Sequence, residues 1–293
     1  MKQKIFGILV FLTLGASALA ACGDSVGPVE PTGDSGTTPG VDGSKPDPRP
    51  GADSASPGVD ANLPDARYDG GGCPTKMKEI PAGTYMMGST ATVDERPIHA
   101  VSMAVFCMDE TEVTVDAYAA CVGAGKCTPA ATDPQCNAAE VGRANHPINC
   151  VDWNQSGAYC AFVGKRLPTE EEWEYAARGT DGRTYPWGSD APAAQLCWSG
   201  VGNDVGQGNR RSTCVAGSYP AGKSPFGILD MAGNVQEWTA SGYSADYDQA
   251  RGAMPVFRGG SWSNSSPLLM RAASRVREAP TERNNSLGFR CAL

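Results

Sequence analysis

The sequence predicts a mixed fold of short helices and small antiparallel sheets in which irregular backbone predominates and disulfides hold the loops. Glycine and proline supply 36 and 22 of the 293 residues. Through residues 73–293 they recur every few positions, which leaves no room for long helices. Three short stretches nevertheless carry helix-start chemistry. Ten cysteines follow Cys22, and an even number in an exported chain argues for bridges.

Taken in order, Thr114 is placed to cap a helix over 115–122, and Asn154 to cap another over 155–163 that Gly164 ends. Thr169 and Glu172 have capping-box spacing, which predicts a third helix over Glu170–Arg178, closed by Gly179. Within it Trp173, Ala176 and Ala177 recur at i, i+3, i+4 and form a stripe for the core. Phe257-Arg258 and Phe289-Arg290-Cys291 are β-prone runs expected to pair in the small antiparallel sheets, apolar and polar residues alternating. The globular part contains no internal repeat.

Ahead of it lies a different kind of sequence. Lys2 and Lys4 form a basic start, 5–14 an apolar run, and Leu19-Ala20-Ala21-Cys22 a lipobox. The run is short for a membrane span, so residues 1–22 read as a lipoprotein signal peptide whose acylated Cys22 would anchor the chain. A plain secretory signal is the alternative. Residues 23–72 hold 11 glycines, 8 prolines and nine acidic against three basic residues. Such a segment cannot bury enough apolar surface to offset its ordering entropy and is expected to be an extended tether. It carries most of the chain's net charge of −8. The mildly acidic remainder gives no case for nucleic acid.

Several chemistries are disfavoured by the residues themselves. No Cys-x-x-Cys pair occurs, and the only histidines, His99 and His146, lie far from any paired-cysteine spacing, which disfavours structural zinc. Ser261 in Gly259-Gly260-Ser261-Trp262-Ser263 lacks the closing glycine of a nucleophile elbow. No phosphate loop or dinucleotide fingerprint is present.

A set of motifs in fixed order carries a resemblance. They are PAGTYMMGS (81–89), ERPIHAV (95–101), DETEVTVDAY (109–118), HPINCVDWNQSGAYC (146–160) and GKRLPTEEEWEYAARG (164–179). They continue with YPWG (185–188), SPFGILDMAGNVQEWT (224–239), FRGGSW (257–262) and LGFRC (287–291). Together they resemble the formylglycine-generating enzyme, or sulfatase-modifying factor, family across residues 73–293. The resemblance implies a single α+β domain with little regular secondary structure, related in shape to C-type lectins.

It also implies specific site residues. Members of the family oxidise a sulfatase cysteine with oxygen and hold copper(I) through two cysteines after the Gly-Gly-Ser element, a soft ligand pair suited to that ion. The matching positions here are about Asn264 and Leu269, so no copper is expected. Gln236 stands where the family has a pocket tryptophan, while Ser261 and Trp262 match the pocket. A family calcium site maps to Asp230, Gly233, Val235 and Glu237: two carboxylates and two main-chain carbonyls, an adequate set for calcium. A second family calcium site has no counterpart in 196–215, and a Cys197–Cys214 bridge is expected in its place. One family bridge maps to Cys160 and Cys291. Another maps to Ala177 and Ala272, both halves missing together. Cys121–Cys127, Cys136–Cys150 and Cys73–Cys107 are the pairings suggested for the rest.

The expectation is therefore an extracytoplasmic lipoprotein of the cell envelope, membrane-anchored through Cys22. Its family domain, without copper cysteines, would be a non-oxidase module binding a peptide, glycan or protein partner. A formylglycine-generating oxidoreductase and a structural envelope lipoprotein are the alternatives.

Overall fold

The computed structural model describes residues 72–293. The expected signal peptide with Cys22, and the expected tether apart from Gly72, lie outside the described residues. Strand β1 (Met77–Ile80) pairs antiparallel with β4 (Phe106–Asp109), and β2 (Gly83–Met87) with β3 (His99–Met103). Helices α1 (Val115–Gly123), α2 (Trp153–Phe162) and α3 (Glu170–Arg178) follow. The larger sheet comprises β5 (Gln236–Gly242), β6 (Pro255–Arg258), β7 (Arg275–Arg277) and β8 (Leu287–Gly288), in the order β7-β6-β5-β8. The result is the expected α+β domain of short elements.

The helix caps show why these residues form helices. The Thr114 hydroxyl accepts the Ala117 N–H at 3.3 Å, satisfying one of the donors a helix start leaves open. Thr169 and Glu172 make the reciprocal capping box, and Gly179 ends α3 with φ +66°. Helix α2 starts earlier than expected. Asp152, not Asn154, is its cap: the Asp152 carboxylate accepts the Gln155 N–H at 2.8 Å and the Gln155 side chain accepts the Asp152 N–H at 3.0 Å. Two cap-forming residues two positions apart compete there, and the one with an amide three positions on makes both bonds.

The strand expectations need two corrections. Strand β8 is Leu287–Gly288 and lies parallel to β5, whereas Phe289, Arg290 and Cys291 belong to no strand. Their backbone is spent on the 109–113 segment instead: Val113 N–H donates to Phe289 O, Asp109 N–H to Cys291 O, and Cys291 N–H to the Asp109 carboxylate. In β6 the expected alternation fails, because all four residues, Arg258 included, are buried.

Two apolar clusters position the rest. Tyr118 of α1 and Tyr159 of α2 pack with Phe289, Trp238 and Phe257. Trp173, Ala176 and Ala177 of α3 are fully buried against Ile80, Met87, Phe106 and Met108. Burial of each large side chain contributes about 1.5–3 kcal/mol. Ala272 lies in that second cluster with Ala177, so the two positions of the missing family bridge share one patch of core.

Five disulfides staple the loops: Cys73–Cys107, Cys121–Cys127, Cys136–Cys150, Cys160–Cys291 and Cys197–Cys214. Cys107 sits at a junction. Besides its bridge to Cys73, it exchanges two main-chain hydrogen bonds with Leu293, at 3.0 and 2.9 Å.

Candidate functional site

The turn at Gly259-Gly260-Ser261 needs its glycines. Gly260 has φ +66°, and a Cβ there would stand 2.7 Å from Met270 Cε and 2.9 Å from the Leu269 carbonyl. That close approach lets the 3-10 turn Pro267–Met270 fold back onto the Ser261 turn. Ser261 itself is fully buried. Its N–H and hydroxyl both donate to Asn264 Oδ1, at 2.9 and 3.0 Å. One of the two copper-matching positions is thus a turn-closing amide.

The other, Leu269, packs with Trp187 against Tyr185, Leu196, Trp198, Ala232 and Met270. Trp262 is buried and donates its ring N–H to Asn285 O at 3.0 Å. Gln236, half-buried, opens β5 opposite Leu287 of β8. All ten cysteines from Cys73 to Cys291 are in disulfides, so this region offers copper(I) no thiolate pair. A serine whose oxygen is locked to an amide, away from any base, is a turn residue rather than a nucleophile.

An open cavity of about 250 Å³ lies beside the end of this segment, lined by Ser89, Thr90, Arg178, Arg183, Thr184 and Arg271 among others. Its arginines are already committed. Arg271 is paired with Glu95, Arg178 with Glu174 and Arg183 with Asp181. The cavity therefore offers hydroxyl groups and guanidinium faces more than free charge.

The segment 230–237 crosses behind the Ser261 turn. Trp262 N–H donates to Asn234 O at 2.8 Å, Asn234 N–H to Cys197 O at 2.8 Å, and Cys214 N–H to Asn234 Oδ1 at 2.9 Å. Gly233, at φ +81°, would drive a Cβ to 2.5 Å from Cys197 O. The Cys197–Cys214 bridge therefore braces this turn from both of its half-cystines.

Beneath the turn lies a cluster of buried charge. Glu237 accepts Nε and Nη2 of Arg290, each at 2.7 Å, and the Trp173 ring N–H at 2.7 Å. Arg290 also donates to Asp109 O and Leu229 O, at 3.1 and 2.9 Å. Asp230 Oδ2 accepts the Gly217 N–H at 2.5 Å. Burial holds the Asp230 carboxyl above its usual range, against the pull of that N–H and of Arg290. Glu112, 2% exposed, is buried against Asp230, and the two carboxyl groups interact directly. Burial first, and then Asp230, push its carboxyl well above the usual value.

This arrangement fits a hard cation in part. Among the described residues no three His, Cys, Asp or Glu side chains come together as a metal-holding group. Any ion at Asp230 would need main-chain oxygens, which calcium accepts and zinc does not favour. The close burial of the Glu112 and Asp230 carboxyl groups is the observation in favour of an ion. Glu237, bound on both oxygens, is the family-matched residue with least to give.

A second network escaped the sequence reading. Glu170 accepts from both Arg258 and Arg275, at 2.6–3.2 Å, and Glu174 Oε2 lies 3.0 Å from Arg258 Nη1. Glu170, Glu174, Arg258 and Arg275 have side chains with no exposure. Only Arg258, closing the apolar run 255–258, carries a local signal of burial in the sequence.

Comparison with known proteins agrees with this geometry. A family described as "Sulfatase-modifying factor enzyme 1-like domain" matches residues 71–293. The formylglycine-generating enzyme of Streptomyces coelicolor is 33% identical over 277 residues, covering 73% of this chain and 87% of that protein. The inactive C-alpha-formylglycine-generating enzyme 2 of Bos taurus is 41% identical over 157 residues, 50% of each chain. The chain spans about half the length of the mammalian relatives of that name. The solved structure of PvdO from Pseudomonas aeruginosa has a TM-score of 0.63 at 27% identity, covering 74% of this chain and 93% of that one. With its motifs, its α+β fold and a family match across all of the described residues, the chain belongs to the sulfatase-modifying factor enzyme 1-like, or formylglycine-generating enzyme-like, family.

Proposed function

We propose that the domain is an extracytoplasmic binding module that does not oxidise sulfatase cysteines, and that it engages a peptide, glycan or protein partner. The observation that carries this reading is the fate of the copper positions. Asn264 spends its side-chain oxygen closing the Ser261 turn, Leu269 is packed among apolar side chains, and the ten cysteines are all bridged. Copper(I) selects soft thiolates, and an amide and an isobutyl group provide none. The bovine relative at 41% identity carries the name of an inactive enzyme, which is consistent with a family branch without the oxidation. The cavity beside Arg271 is the place where a partner's polar groups would meet Ser89, Thr90 and Thr184.

Two further parts complete the proposal. Five bridges suit an oxidising compartment, and the lipobox ending in Cys22 would tie the domain to a membrane of the cell envelope. Calcium is the proposed resident ion, held by the Asp230 carboxylate with the carbonyls of Gly233 and Val235; the fourth family-matched residue, Glu237, would have to share an oxygen already bonded to Arg290. Its chemistry there is structural: a divalent charge would offset buried carboxylates and fix the turn that supports Trp262.

The test is mass spectrometry of the full oxidised chain, after incubation with a cysteine-containing sulfatase-motif peptide, copper(I), reductant and oxygen. The expected result is an unchanged peptide, together with acyl mass on Cys22 in material from the native membrane. Conversion of the peptide cysteine to an aldehyde would overturn the reading in favour of an oxidoreductase.

A further inference from the structure

The five bridges differ in how far solvent reaches them. Cys121–Cys127, Cys136–Cys150 and Cys160–Cys291 are formed by residues that are buried on both sides. Cys73 and Cys214 are half-buried, each joined to a buried partner, Cys107 and Cys197. A cation then sets Cys214 apart. Arg210 Nη1–H donates to Cys214 Sγ at 2.7 Å, and the Tyr219 hydroxyl stands 3.5 Å from the same sulfur. The other donors hold the guanidinium in place: Nε bonds Trp198 O at 3.1 Å, and Nη2 bonds the Asp204 carboxylate and, at 3.1 Å, the Tyr219 oxygen.

A guanidinium adds little to an intact bridge, whose sulfurs carry no charge. Its effect falls on the thiolate that an opened bridge produces. Thiol–disulfide exchange proceeds by attack of a thiolate on one sulfur and departure of the other as a thiolate, and a cation beside a sulfur favours the charged form. Asp204 shares the Arg210 charge. Its side chain is 45% exposed, however, against 8% for Arg210, so water screens the carboxylate more than the guanidinium.

We propose that Cys197–Cys214 is a thiol–disulfide exchange site, opened by a dithiol reductant at Cys214, and that its opening releases the turn under Trp262. One thiolate of the dithiol attacks the half-exposed Cys214 sulfur. The Cys197–Cys214 bond breaks, and Cys197 departs as a thiolate that takes up a proton. The second thiol of the dithiol gives up its proton and attacks the mixed disulfide, expelling Cys214 as a thiolate beside Arg210. Two electrons pass in all: the dithiol is oxidised to a disulfide, and Cys197 and Cys214 are reduced. The bridge closes segment 197–214 around Asn234, which bonds Cys197 O and the Cys214 N–H. Inside that segment Ser199 donates its N–H to Asn264 O at 2.9 Å and its hydroxyl to Trp262 O at 3.0 Å. Opening the bridge therefore unties the loop whose bonds hold the Ser261 turn.

The experiment treats the full oxidised chain with dithiothreitol at pH 7.5, quenches it with iodoacetamide at intervals, and follows each cysteine pair by peptide mass spectrometry. Wild type, Arg210→Met, Arg210→Lys and Asp204→Asn are compared. In wild type the Cys197 and Cys214 pair is expected to be reduced first, roughly tenfold faster than any other pair. Arg210→Met is expected to slow that pair roughly fivefold, and Arg210→Lys, which keeps the charge, to restore most of the rate. A loop merely loosened by substitution would react faster, so damage to the fold cannot imitate this result. Asp204→Asn leaves the guanidinium unshared and is expected to speed the reaction roughly twofold. Earlier reduction of Cys73–Cys107 would overturn the proposal, as would an Arg210→Met rate within twofold of wild type or above it. While only this pair is alkylated, hydrogen exchange at the Asn234 and Trp262 amides is expected to rise at least roughly threefold, with helix α3 unchanged. Unchanged exchange at those two amides would overturn the link to the turn.

Discussion

Replacing Arg290 by methionine is expected to lower the unfolding free energy by about 3–5 kcal/mol, the cost of removing one partner from a buried ion pair. Arg290 makes two bonds to Glu237 and two to main-chain carbonyls, all in the interior. Methionine fills much of the volume, so the loss is electrostatic: Glu237 keeps only the Trp173 N–H, beside Asp230 and Glu112. Lysine at 290 restores the charge without the fork and is expected to recover part of the loss. The double variant Arg290→Met with Glu237→Gln should lose less than the sum of the two single changes, because neither charge is then left alone. Urea unfolding, followed by tryptophan fluorescence with the bridges intact, measures all of these. A loss under about 1 kcal/mol for Arg290→Met would show that the pair is relieved by water or rearrangement.

Removal of the Cys160–Cys291 bridge by a double alanine substitution is expected to cost about 4–5 kcal/mol, the largest loss among the five bridges. The half-cystines are 131 residues apart, whereas Cys121 and Cys127 are separated by 6. Restricting the unfolded chain by a loop of that length is worth about 5 kcal/mol, and by the short loop about 2 kcal/mol. Comparing denaturation midpoints of the two double variants checks the ordering. Equal losses would mean that native packing around the sulfurs, not chain entropy, sets their contribution. Cys160 and Cys291 also join α2 to the segment bonded to Asp109, so the long bridge supports the position of Arg290 next to it in sequence.

How much of this was legible in the sequence depended on how local each cause was. Helix α3 could be read to its ends, because Thr169, Glu172 and Gly179 act within a turn of one another. The start of α2 was misplaced by two residues because Asp152 and Asn154 are both cap formers, and the deciding Gln155 was counted as helix interior. Residues 289–291 read locally as a strand, since the alternation of Phe289 and Arg290 looks the same whether a side chain faces water or a buried carboxylate. Arg258 is ambiguous for the same reason; its partner Glu170 is 88 residues away, beyond any spacing argument. At the site, the family motifs led to Ser261, Trp262, Asp230 and Glu237. They gave no weight to Glu112, whose burial beside Asp230 depends on contacts far apart in sequence.

Cys107 has a mechanical consequence. Pulling on the chain ahead of Cys73 would load the Cys73–Cys107 bond, and the covalent ring it closes contains β1, β2 and β3. Those strands would bear little of the load and could not be unzipped one hydrogen bond at a time. Force would emerge at Cys107 in β4 and pass at once to Leu293, which pairs with it through two main-chain bonds. Tension applied at that end would thus run along a short path at one edge of the domain, leaving the Ser261 turn out of the line of strain.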